Sequence, residues 1–207
     1  MLISPIVNLF CNPWDDILSD QEVLESMHAV ALVADVRLRR MIRDGEVEDG
    51  RDSLGVVLLD PTPSRSATSF NEQVLATIVL GPHGAEFVPN AAAKADAHAR
   101  HGVNNGLLVR YASHCLGNGD FAWGNSAEYK GAIGGGSGLS VEQDGAMVRL
   151  MLEHIMETVR VSRDCWIDEQ RRLNPEGHRW FNSANEPPAK YKAVLDLQPI
   201  ATSARGV

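Results

Sequence analysis

The chain reads as a layered α/β domain of the α+β kind, with helices flanking a five-stranded, mainly antiparallel sheet. Three observations predict this. Two long segments, 21–43 and 141–172, carry apolar residues at helical spacing. Several short runs are rich in Val, Ile and Leu and are stopped by glycine or proline. Three strand-like runs crowd between 107 and 133 with no helix between them, which suits antiparallel pairing rather than βαβ repeats.

Residues 1–20 read as an apolar arm. It lacks a basic start and soon meets Pro13, Trp14, Asp15 and Asp16, so a signal peptide is not expected. Asp20 is placed to cap the first helix, 21–43, whose Met27, Ala31, Ala34, Leu38 and Met41 share one face. Its end is basic through Arg37, Arg39, Arg40 and Arg43, which suits the helix dipole. Residues 54–59 form a strand stopped by Asp60-Pro61, and 73–80 a second strand stopped by Gly81-Pro82. The alanine-rich segment 90–101 is helical. Strands are expected at 107–112, 120–123 and 128–133.

The last strand is expected to end in a glycine loop, Gly134-Gly135-Gly136-Ser137-Gly138. Glycines permit positive φ and close approach of a ligand or a second backbone. Ser140 and Gln143 have capping-box spacing, so a helix starts there and runs to about 172. Exposed N–H groups at such a start favour a bound carboxylate. The domain is taken as 21–173. Segment 174–207 has four prolines and no period, and reads as an arm that wraps a neighbour or is left unpacked.

At 207 residues the chain is long enough for one core, and 44% hydrophobic content with mixed charge makes it globular. A formal net charge of −8 argues against nucleic acid as a partner. No apolar run reaches membrane-span length. The three cysteines, Cys11, Cys115 and Cys165, fit reduced thiols in the cytoplasm better than a disulfide framework. None pairs at zinc-ligand spacing.

Lys94, His98 and His101 fall on one face of the alanine-rich helix. As a functional strip, Lys94 holds an anionic group and a histidine moves a proton or ligates iron. As a bland strip, the three are solvated surface. The segment 134–138 is not a P-loop, since no Gly-Lys-Ser/Thr follows. It binds a carboxylate, packs closely between strand and helix, or does both. Asp120, Trp123 and Tyr129 are candidates for a pocket mouth, and Trp123 can stack on a planar ligand. His28 and His154 lie at the borders of apolar stripes, and His114-Cys115 is an adjacent pair whose side chains diverge in a strand.

Ala93-Lys94-Ala95 with Ala97, then Gly119-Asp120-Phe121-Ala122-Trp123, then Gly131-Ala132-Ile133-Gly134-Gly135-Gly136-Ser137-Gly138 with Gln143-Asp144 follow one another in this order. In this the chain resembles the GlcG/HbpS-like haem-binding family, also found as the C-terminal domain of some PduO proteins. The resemblance covers roughly residues 21–160. The entry to the fourth strand departs from the family pattern, because Gly117-Asn118-Gly119-Asp120 has no proline. The resemblance implies a profilin- or roadblock-like fold, homo-oligomers and, in some members, haem.

The expectation is a small-molecule or haem pocket between the alanine-rich helix and the glycine loop. Lys94 and His98 would be its reactive groups. His101, Trp123 and Gly134 to Gly138 would contact the ligand, and any metal-ligand set is left open. The alternative is a cofactor-independent catabolic enzyme using acid–base chemistry on a small aromatic or carboxylic substrate. A third is an assembly protein whose arms make its interface.

Overall fold

The computed structural model describes residues 4–173, apart from 49, 63–67 and 118–120. The chain divides into two compact units, Met1–Asp164 and Cys165–Val207. The first holds the sheet. Of the second, residues 165–173 are described; they are helical and carry the i,i+3 ion pairs Arg171–Asp168 and Arg172–Glu169. The arm expected at 174–207 lies outside the described residues.

Five strands form one antiparallel sheet. They are β1 (Ile6–Leu9), β2 (Leu54–Leu59), β3 (Val74–Leu80), β4 (Ser126–Tyr129) and β5 (Ala132–Ser137), in the spatial order β1-β3-β2-β5-β4. The stretch 1–20 is therefore more than an arm, because Ile6 to Leu9 pair with β3 along one edge.

The helices are α1 (Asp20–Arg43), α2 (Phe70–Gln73), α3 (Gly84–His101), α4 (Asn105–Tyr111) and α5 (Val141–Leu173). Ser19, rather than Asp20, caps α1. Its hydroxyl accepts the Glu22 N–H at 3.3 Å, and its own N–H donates to Glu22 Oε2 at 2.7 Å. Helix α3 starts at Gly84, six residues before the expected 90, with Pro89 inside it. Gly55 and Gly84 make that early start possible. A Cβ on Gly55 would lie 2.6 Å from the Gly84 carbonyl oxygen, so this end of α3 sits against bare β2 backbone.

Side-chain alternation along β2 defines the layers. Leu54, Val56 and Leu58 face one way and join Met27, Ala31, Ala34 and Leu38 of α1 with Met147, Val148, Met151 and Ile155 of α5. Val57 and Leu59 face the other way, with Ile133, and meet Ala91, Ala95 and Ala99 of α3. Among the described residues no helix is long and apolar enough to cross a membrane.

Three expected strands change. Residues 107–111 belong to α4, with Ala112 as its C-cap; the helix is capped at its start by Asn104, whose side chain accepts the Gly106 N–H at 2.8 Å. A short apolar run does not distinguish strand from helix by itself; here Leu108 is buried while Leu107 is half exposed, and the cap decides. Phe121 to Trp123 are irregular, and Asp120 lies outside the described residues. The strand expected at 128–133 is two strands joined at Lys130-Gly131, with φ of 51° and 86° between the paired Tyr129 and Ala132. Positive φ at both central residues is the geometry of the tight two-residue hairpin turn.

The consequence is that Gly134, Gly135 and Gly136 are strand, not loop. Their backbones have no positive φ; Gly138, just past the strand, does. A Cβ on Gly135 would overlap the Ala91 carbonyl oxygen of α3. On Gly134 or Gly136 it would lie 2.7 or 2.6 Å from Val148 of α5. Gly135→Ala should therefore destabilise by about 1–3 kcal/mol, toward the upper end because backbone is the obstacle. Gly131→Ala has open space but keeps a left-handed φ, and should cost about 1–2 kcal/mol. Urea unfolding checks both; a Gly135→Ala variant of unchanged midpoint would contradict the close packing.

Candidate functional site

Helix α3 lies across β5, and the missing side chains of β5 let α5 close on the strand's other face. The β4 ladder stops where Ser126 faces Gly135. Just beyond, Lys94 reaches from α3 and donates to the Gly136 carbonyl at 2.7 Å. It also donates to Asp144 Oδ2 at 2.8 Å, in the first turn of α5. Both side chains are buried, at 2% and 3% exposure. Asp144 Oδ1 accepts the Leu139 N–H at 2.9 Å, which ties the chain entering α5 to the same carboxylate. An ammonium has three N–H donors, and the protein uses two here.

Lys94 and Asp144 form part of the wall of a cavity of about 550 Å³. Ser137 at the end of β5 lines it with Gly138 and Ser140 of the β5–α5 connection, and Phe87 and Asn90 line it from α3. Phe121 and Trp123 close another side, with Trp123 two-thirds exposed. Asn105 holds this side in place, donating from Nδ2 to the Trp123 carbonyl at 2.8 Å. Arg51 lies on the rim, bonded to the Leu139 carbonyl at 2.6 Å and paired with Glu48 at 2.9 Å.

The expected residues divide. Lys94, Trp123, Ser137 and Gly138 line the cavity. Gly134, Gly135 and Gly136 do not; their role is close packing, and only the Gly136 carbonyl takes part, through Lys94. Around the helix start where a carboxylate was expected, Leu139 N–H is engaged by Asp144, Ser140 N–H by Gln143 at 3.1 Å and Gln143 N–H by the Ser140 hydroxyl at 3.3 Å.

His98 is buried on the same side of α3 as Lys94 but is not among the described cavity residues. Its Nδ1 lies 2.8 Å from Ser126 Oγ and its Nε2 3.8 Å from Glu128. Ser126 Oγ also accepts the Asn105 N–H at 3.0 Å, and Asn104 donates to the Ser126 carbonyl. His98 thus joins α3, α4 and β4 in one polar network. His101, at the helix end, lies 3.3 Å from Arg100 and away from the described lining. The Lys94–His98–His101 strip is neither solvated surface nor a continuous wall.

Other candidates lie outside the described lining of this cavity. His28, His114 and His154 are exposed, and His114 and Cys115 sit in a 3-10 turn, Ser113–Cys115. Burial, together with Asp60, pushes the Cys11 thiol up to about 11, which leaves it unreactive near neutral pH. No cluster of three metal-ligating side chains occurs among the described residues.

Sequence reasoning missed Asp144 as a site residue, although a signal existed. Asp144 stands four residues before Val148, on the stripe that Met151, Leu152 and Ile155 continue. A carboxylate on a buried stripe requires a partner. Arg51 and Phe87 have no such local signal.

The chain matches no protein-family model, no curated protein and no solved structure.

Removing one member of a buried ion pair leaves the other uncompensated, and Lys94→Met or Asp144→Leu alone should cost about 3–5 kcal/mol. The double variant should cost less than the sum, which a double-mutant cycle in urea measures. Burial raises the Asp144 carboxyl above the usual aspartate value and outweighs Lys94, which acts in the opposite sense. With the folded value above the unfolded one, the contribution of this group to stability is full below the unfolded value. It is lost as pH rises through the folded value. Carboxyl NMR titration should find Asp144 above ordinary aspartates, and a midpoint below them would contradict this.

Proposed function

We propose that the protein binds a small planar molecule in the cavity beside Lys94, on a domain of the profilin- or roadblock-like kind that the GlcG/HbpS-like resemblance implies. The observation that carries the reading is the pairing of two features across one cavity. Lys94 is held by Gly136 and Asp144 with one N–H to spare, and Trp123 stands largely exposed on the lining. The first suits an acceptor oxygen on the ligand, and the second a flat apolar ring. The antiparallel sheet with helices on both faces supports the layered-fold reading.

Haem is the ligand the resemblance implies. Its iron takes a histidine, cysteine, methionine or tyrosine. The described lining residues include none of these, and His98 is engaged with Ser126. The donor set does not fit an axially ligated haem, and the reading is of a ligand without iron. Acid–base catalysis is the weaker alternative. Lys94 faces two acceptors, which suits hydrogen-bond donation more than proton removal.

The proposal extends to a cytoplasmic homo-oligomer. Ile6 and Phe10 along the β1 edge, and Leu32, Val33 and Val36 on α1, are exposed apolar surface for a second copy to cover. Light scattering at micromolar concentration should report more than a monomer mass.

A bicyclic aromatic amide should bind and shift the Trp123 indole signal, measured by calorimetry and NMR. Trp123→Ala should lose about 0.5–1.5 kcal/mol of affinity, with the fold intact because the side chain is exposed. A sharp Soret band on haem titration that disappears in His98→Ala would reject the iron-free reading.

A further inference from the structure

The charge of the cavity narrows the ligand class, given the binding reading above. Among the described residues five ionisable side chains line it: Arg51 and Lys94 as cations, and Glu48, Glu142 and Asp144 as carboxylates. Two cations against three carboxylates leave a net charge of −1. The pairing is specific. Lys94 is matched to Asp144 at 2.8 Å and Arg51 to Glu48 at 2.9 Å. Glu142 is exposed on the rim and has no hydrogen-bond or ion-pair partner among the described residues.

Two features pull the other way, and neither is large enough. The N-terminus of α5 contributes a partial positive charge of about half a unit, less than one carboxylate, and it falls off within the first turn. Both Glu142 and Asp144 already stand in that turn. The Leu139, Ser140 and Gln143 N–H groups are engaged by Asp144, Gln143 and Ser140, and the Val141 and Glu142 N–H groups lie in the same turn as the Glu142 carboxylate. An entering carboxylate would meet Glu142, and both cations of the described lining are already matched, Lys94 to Asp144 and Arg51 to Glu48.

We infer that the cavity selects planar aromatic ligands that are neutral or cationic and carry an acceptor or donor head group, such as an aryl amide or amidine, and discriminates against aryl carboxylates. Lys94 receives the acceptor oxygen of an amide. Glu142 receives the positive head group of an amidine. Trp123 stacks on the ring in both.

Three probes of one ring size separate the possibilities: 2-naphthamide, 2-naphthamidine and 2-naphthoate. Each is titrated into the full chain at pH 7 and low salt by calorimetry, with the Trp123 indole N–H followed by NMR and assigned with Trp123→Phe. The amide and the amidine should bind about ten-fold or more tightly than the carboxylate, the size expected of one unscreened like charge at the rim. Glu142→Gln should weaken the amidine relative to the amide and strengthen the carboxylate. Tightest binding of 2-naphthoate would overturn this inference while leaving the cavity as the binding site. An order of affinities unchanged by Glu142→Gln would overturn it too. A Trp123 signal unmoved by all three probes would overturn both this inference and the binding reading on which it rests.

Discussion

The thinness of β5 is the constraint on which the rest of the structure depends. Three consecutive glycines leave Gly134 and Gly136 bare toward α5 and Gly135 bare toward α3. Helix α3 therefore approaches the strand at backbone distance, and α5 lays Val148 directly on the bare strand. Only at that separation can a lysine on α3 and an aspartate on α5 meet beside the strand. The alanines of α3 serve the same end, since Ala91 and Ala95 touch the sheet without holding the helix away. Close packing and the polar site are thus one arrangement.

A buried ion pair is weak evidence for stability, because removing two charges from water costs several kcal/mol for each ion. What the Lys94–Asp144 pair does supply is registry. The ammonium binds the Gly136 carbonyl just beyond the end of the β4–β5 ladder, and the carboxylate binds the Leu139 N–H as the chain turns into α5. Two elements and a connection are fixed by two side chains. The network of His98, Ser126, Asn104 and Asn105 acts similarly one helical turn along α3, and through Asn105 it extends to the Trp123 backbone. The aromatic side and the charged wall of the cavity are both anchored to α3.

The cavity itself has uneven polarity. Aromatic surface from Phe87, Phe121 and Trp123 faces a wall whose cations are matched by carboxylates. In such a site orientation comes from a few directed hydrogen bonds, while most of the affinity comes from apolar contact. Lys94 is a donor of fixed position here, and its charge is answered by Asp144.

Much of the scaffold was legible in the sequence because its codes are local. The α1 stripe, the strand 54–59 and the start of α5 are each written within a few residues, and the structure has them at or near the expected positions. Lys94 within an alanine face also stood out locally. What local pattern could not decide was whether Gly134 to Gly136 form loop or strand. Glycine has no side chain to mark a face, so only the partners β2 and β4 and the two closing helices determine its conformation. The helix at 105–111 turned on the Asn104 cap rather than on the apolar run. The sequence by itself determined an α+β chain with a glycine-rich strand–helix junction and a lysine on a small-residue face. Tertiary structure alone decided that this lysine pairs with Asp144, fifty residues away, and that His98 turns to Ser126. The physical reason is that burying a charge requires a partner, and the choice of partner depends on which helices the bare strand brings together.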